Sequence, residues 1–386
     1  MSKRGFSILL ILVTSAMLSL TSCGGGEEII DTGVTDIAIG RWSHTATLLS
    51  NGSVLIVGGE SKFRTSVNAA TLFGTDEQWS SAGDTLETRG EGHTATLLDN
   101  GNVLVVGGSE NAEIYNTDDN KWTTAGSMEK GRVWQTAVKL KDGKILVAGG
   151  QNPSSRKAYK TAEIYDPSKN EWSRTEDMED SHTRDKMTLL DDGRVLIVGK
   201  MLSEIYDPET GIWTSAGPLM KQRDGSYAIT KLPDGRILVT GGETVRGRSS
   251  EVDPKISPGG VMASHDMSLV ATARADIYDP STGNWSAAEP MSQARKIHPA
   301  ILLPEGKVLV LGNQSVEEYD PLQDKWILKV QMLIARNYGH TATMLEDGSI
   351  LIVGGNEGGD PFNPSGNKDM VGISIIEIYD PNAVAD

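Results

Sequence analysis

Short, fully apolar runs recur along most of the chain, each entered through a turn dipeptide and left through glycine. Asn51-Gly52 precedes VLIVGG, Asn100-Gly101 precedes VLVVGG, Asp142-Gly143 precedes ILVAGG and Asp192-Gly193 precedes VLIVGK. Asp234-Gly235 with ILVTGG, Glu305-Gly306 with VLVLGN and Asp347-Gly348 with ILIVGG complete the series. A run with no polar face must be covered on both sides, which predicts a central strand between neighbouring sheets. Asn-Gly and Asp-Gly favour a type I′ hairpin, because both central residues need positive φ, so HTATLL and its variants just upstream predict the partner strand. A third segment, AEIYDP or similar, includes Glu113, Glu163, Glu204, Asp276, Glu317 and Glu377. Its Asp-Pro makes a turn into a fourth segment that opens on Trp79, Trp122, Trp172, Trp213, Trp285 or Trp326. The turn glycines lie 42 to 50 residues apart, save one interval of 71, which is the scale of a four-stranded unit in a ring of such units.

Taken together, R-x2-3-H-T-A-T-L-L, V-L-V-V-G-G, E-I-Y-D-P and W resemble the kelch repeat over residues 40 to 381. The resemblance implies an all-β, seven-bladed β-propeller whose first strands line a central channel and whose Trp strands lie outermost. Two copies depart from the double glycine. Asn313 is tolerable because Asn visits left-handed backbone, but Lys200 is not a usual replacement, so the turn of blade 4 is expected to differ. The last repeat ends at Pro381 and its Trp strand is missing. In five of six repeats Trp lies ten residues before an Arg, as from Trp213 to Arg223. Counting ten back from Arg41 reaches Asp31, and DTGVTDIAIGR aligns with WTTAGSMEKGR. Residues 28–39 are therefore expected to close the ring as the outer strand of blade 7.

Upstream of the repeats, Lys3 and Arg4 precede the apolar run Ile8 to Leu20, too short to cross a bilayer comfortably and of the length of a signal-peptide core. Leu20-Thr21-Ser22-Cys23-Gly24 resembles the bacterial lipobox. That resemblance implies cleavage before Cys23, lipidation of its sulfur and a membrane anchor in the cell envelope. The expected organisation is a signal peptide at 1–22, the lipidated Cys23 and a tether at 23–27, and the propeller at 28–386. Gly24 is not the Asp that retains many Gram-negative lipoproteins at the inner membrane, which favours the outer membrane in a host that has one. With so short a tether, the face carrying the 1-2 and 3-4 loops should lie toward the membrane and the 2-3 and 4-1 loops away from it.

Composition narrows the function. A net charge of -16 argues against nucleic acid, and a single cysteine allows neither an internal disulfide nor a thiolate metal cluster. The long 2-3 loops near residues 60–69, 151–161, 243–273 and 356–375 share the distal face, and long loops on a rigid scaffold are where binding resides. Blade 5 offers Arg246, Arg248, Glu251, Asp253, Lys255, His265 and Asp266, and blade 7 offers Asp360, Phe362, Lys368 and Asp369. Arg246, Arg248, His265, Asp266, Asp360 and Phe362 are the candidate ligand contacts. His44, His93, His298 and His340 share one repeat position, where hydrogen bonds between blades are expected in preference to a metal cluster. Arg41, Arg89, Arg132, Arg184, Arg223, Arg295 and Arg336 recur before the first strand, either clipping blades together or drawing an anion to the mouth. Kelch rings include copper oxidases with a Tyr-Cys crosslink, but no cysteine follows Cys23. They also include sialic-acid epimerases, for which Asp185, Asp224, Glu251 and Asp266 are acid-base candidates. No cofactor motif is present. The sequence thus predicts a binding module for a protein or a glycan, with a carbohydrate-active enzyme as the alternative. An enzyme should place paired ionisable groups in the channel mouth.

Overall fold

The computed structural model describes residues 9–11, 40–61, 65–200, 202–221, 223–245, 269–313, 315–332, 335–336, 338–356, 373–374 and 376–381. They form seven antiparallel sheets arranged as the blades of a propeller. Blade 2 is representative: Thr94–Leu97, Val103–Val106, Asn111–Asn116 and Lys121–Ser127 pair in chain order from the axis outward. The inner strands touch in a closed cycle, from Thr45–Leu48 of blade 1 round to Tyr338–Met344 of blade 7 and back.

The all-apolar strands behave as their pattern requires. Val54–Val57, Val103–Val106 and Val195–Val198 are buried at every residue, and each face of such a strand meets a different neighbouring blade. One apolar cluster fills each seam. Leu55, Val57, Val103 and Val105 pack between blades 1 and 2, while Ile56 and Val54 join Leu351 and Val353 between blades 1 and 7. At the rim each Trp leans on the aromatic ring of its own third strand, as Tyr115 and Trp122 do at 5.2 Å, and reaches to the blade before. Trp122 Nε1 donates to Ala82 O and Trp172 Nε1 to Ala125 O, both at 2.9 Å.

Two details correct the sequence reading. The outer position of blade 7 is filled by Leu9–Ile11, antiparallel to Ile376–Tyr379 with Leu10 opposite Glu377. An open edge accepts any extended apolar segment that can pair its backbone, and Leu9–Ile11 supply one. Residues 28–39, expected there, lie outside the described residues, as do Cys23 and the tether. The second correction lies in blade 4, where the repeat arginine is replaced by His182 rather than aligned at Arg184. The turn of that blade also departs from the others. The paired glycines of blade 1 have φ of 62° and 91°, whereas neither Gly199 nor Lys200 has positive φ. A Cβ at Gly199 would come within 2.1 Å of Leu202 O and 2.5 Å of His182 Cε1, so the His in this seam leaves room only for hydrogen.

Candidate functional site: the channel mouth

The connections from outer strand to next inner strand converge around the axis, and the repeat arginines hold them there. Arg89 lends its carbonyl to Gly59 N of blade 1 (2.7 Å) and sends its guanidinium into blade 2, to Gly107 O (2.6 Å) and the Glu113 carboxylate. Arg132 pairs with Glu163 (2.5 Å), Arg223 with Asp276 (2.5 Å), Arg295 with Glu317 (2.7 Å) and Arg336 with Glu377 (3.0 Å). These side chains are fully buried, so the guanidinium groups clip blades together and do not face a ligand. His182 takes the same slot in blade 4, between Asp185 and Glu204 at 2.9 Å each. Burial opposes its charge, but the two carboxylates raise its pKa to about 9. Arg41 is the exception: Thr71 stands where the other blades have an acid, and among the described residues its guanidinium meets Gly58 O and Ala69 O, so burial lowers its pKa to about 10.

The four repeated histidines are structural. His44 Nε2 shares a hydrogen bond with Thr341 Oγ1 of blade 7 (2.9 Å), His93 Nε2 with Thr45 Oγ1 (3.2 Å), and His298 Nε2 with Thr240 Oγ1 (3.0 Å). Burial holds all four neutral, lowering His93 to about 4, His298 and His340 to about 3, and His44 well below its ordinary value. Gln135 and Tyr227 do the same work in blades 3 and 5, with Gln135 Nε2 donating to Val106 O (2.9 Å) and Tyr227 Oη to Asp185 (3.0 Å). Among the described residues no three His, Cys, Asp or Glu come together as metal ligands would.

Just inside the clips, one residue per blade has left-handed backbone: Ser43, Gly92, Trp134, Arg184, Ser226, Ile297 and Gly339, with φ between 50° and 101°. Neighbours join through the backbone, Trp134 N to Gly92 O (3.0 Å), Arg184 N to Trp134 O (2.9 Å), Ile297 N to Ser226 O (2.6 Å) and Ser43 N to Gly339 O (2.8 Å). A β-branched Ile or a Trp in this region is strained by about 1–3 kcal/mol and persists only where its surroundings impose it; such strain gathers at functional sites. This collar opens on a cavity of about 490 Å³ along the axis. Trp134 and Arg184 stand over it with the guanidinium 4.0 Å from the indole centre, and Arg156 lies 5.4 Å from the same ring. Tyr338 Oη donates to Glu91, and burial beside that carboxylate pushes the phenol well above its usual pKa.

The long 2-3 loops rise on the same face. Glu60–Ser61 pairs with Thr65–Ser66 in a small hairpin, Gln151 bridges Ala158, and the second strand of blade 5 runs on to Val245 to pair with Leu269–Ala271. Loop ends touch the collar connections, as where Thr272 bridges Arg295. The candidate contacts Arg246, Arg248, His265, Asp266, Asp360 and Phe362 lie outside the described residues, as does Glu251. Asp185 is buried between His182 and Tyr227, a structural post rather than an acid-base group. Sequence reasoning missed Trp134 and Lys186 as well as the place of Arg184. The signal was present, since ten residues beyond Trp172 is His182, which releases Arg184 for the mouth.

The Kelch motif family model matches residues 140–179. Kelch-like protein 23 of Homo sapiens is 30% identical over 162 residues, 40% of this chain and 24% of that protein. Kelch-like protein terF of Aspergillus terreus is 28% identical over 109 residues, 25% of this chain and 24% of its own length. The chain thus spans about a quarter of the length of these relatives. A fungal alcohol oxidase of the AA5 family in complex with copper superposes with a TM-score of 0.66 at 17% identity, over 89% of this chain and 76% of the oxidase. The structure of YjhT gives 0.56 at 15%, over 75% of this chain and 98% of YjhT. These two likenesses concern the fold alone. Blades, motif and relatives make this chain a seven-bladed β-propeller. It carries the Kelch motif and is similar to kelch-like proteins.

Proposed function

We propose that the chain is a recognition module, anchored in the cell envelope through a lipid on Cys23, that binds a protein partner by the face bearing the channel mouth and the 2-3 loops. What supports this reading is that every described loop extension rises on the face where Trp134, Arg184 and Arg156 stack at the collar. Aromatic and Arg side chains are the groups on which binding energy concentrates. A glycan is the other ligand class that stacks on such rings. Catalysis on a carbohydrate is the second reading, favoured by the Glu91–Tyr338 pair at the mouth. The experiment is an envelope pull-down and glycan array comparing the chain with a variant in which residues 246–268 are replaced by Asn-Gly. Loss of the captured protein with the loop supports the reading. Undiminished capture sinks the loop argument, and a sugar that is turned over favours the enzyme. Globomycin-sensitive labelling of Cys23 by a palmitate analogue checks the anchor, which an unlabelled chain would refute.

A further inference from the structure

The inner-strand position opposite the fourth residue of the second-strand run (Val57, Val106, Ala148, Thr240, Leu311 and Val353) is uncharged in six blades: Thr45, Thr94, Thr136, Ala228, Pro299 and Thr341. In blade 4 it is Lys186. This side chain lines the axial cavity and is exposed to it, and its ammonium has no hydrogen-bond or ion-pair partner among the described residues. Nearby acids are already committed. Asp185 receives His182 and Tyr227, and Glu91 receives Tyr338. Encirclement by protein disfavours the charge, lowering the lysine pKa, and Arg184 at the entrance lowers it further, with only Asp185 opposing. A fold that needs no charge here has kept one where it costs free energy, beside a second cation, in a space lined by small side chains such as Ala46, Ala95, Ala137 and Ala342.

We propose that the axial channel is a binding site for a compact carboxylate- or phosphate-bearing molecule, with Lys186 as its counter-ion in the lumen and Arg184, braced on Trp134, at the entrance. The cavity of about 490 Å³ falls within the range of roughly 300–1,000 Å³ usual for small-molecule sites. An anion there pairs with the lone ammonium, and the neighbouring hydroxyls and the Trp134 ring suit a polar ligand of monosaccharide size. The site shares Trp134 and Arg184 with the face proposed to bind a partner, but the lumen and Lys186 do not rest on that reading.

The test is calorimetric titration of the full-length chain with inorganic phosphate, glucuronate, glucose 6-phosphate and neutral glucose at fixed ionic strength. One or more of the anions should bind at a single site and glucose should not, with the preference between glucuronate and the phosphates naming the anionic group. Lys186→Met should weaken that binding at least tenfold, Lys186→Arg should hold it within about threefold, and Arg184→Gln should weaken it less than Lys186→Met does. Lys186→Thr carries the residue of four sister blades, so it controls for folding and should lose the anion while melting as the parent does. Absence of binding by all three anions, equal binding of glucose, or unchanged affinity in Lys186→Met and Lys186→Thr would each overturn the proposal.

Discussion

Arg89 and Arg41 are the same residue in the repeat and in the same buried position, yet they differ in what removing each would expose. Arg89→Met leaves Glu113 buried without its cation, a loss of about 3–5 kcal/mol. Arg41→Met strands no carboxylate, because Thr71 stands in the acid's place, and should cost distinctly less by urea denaturation. Equal costs would show that the clip works through its carbonyl contacts alone. The histidines set the response to pH from opposite sides. His93, His298 and His340 have folded pKa values below that of the unfolded chain, so unfolding takes up protons: their stabilisation is complete above about 6.5 and is lost as pH falls toward 3–4. His182 has its pKa raised, so its contribution is complete below about 6.5 and is lost as pH rises through 9. His298→Gln with His340→Gln, following Gln135 of blade 3, should therefore flatten the decline in stability between pH 6.5 and 4 and leave the alkaline side unchanged. An acid limb as steep as the parent's would refute the assignment.

At the scale of elements, strand identity was legible because an up-and-down blade uses local signals: a turn dipeptide, a run of constant apolarity and a Trp. The extension of blade 5 was legible only as length. In the structure Val245 faces Leu269 directly, so the strand and its return already form a hairpin waiting for a two-residue turn. Joining them by Asn-Gly in place of residues 246–268 should leave cooperative unfolding intact, with a midpoint within a few degrees of the parent by calorimetry. A collapse of the midpoint would make the segment part of the scaffold. Collar strain was not legible. Ser43, Trp134 and Ile297 have ordinary sequence neighbours, and their left-handed backbone comes from the crowding of seven connections round one axis.

For the whole molecule, closure is the step that makes stability cooperative, because blades 1 and 7 meet through their inner strands and through Arg41 O, which accepts from Gly355 N at 3.0 Å. A chain starting at Gly24 has lost Leu9–Ile11 but keeps residues 28–39, whereas one starting at Gly40 has neither. The edge that Leu9–Ile11 vacate is then open to residues 28–39, so the first should melt at the higher temperature, and equal midpoints would show that residues 28–39 do not take it. Thirty-six basic against 52 acidic residues leave the molecule acidic overall. A positive channel entrance in such a molecule concentrates what attraction it has for anions at the axis.

The amino-acid sequence by itself determined the repeat, the strand order within each blade, the turns and, by the number of copies, the number of blades, because each of these is read from signals local to one repeat. Which imidazoles stay neutral, that Arg184 is braced on Trp134, and that a lone lysine stands in the channel were decided by tertiary structure. Those properties depend on the distance between residues of different blades and on how completely neighbouring blades exclude water. Neither is set until the ring is closed.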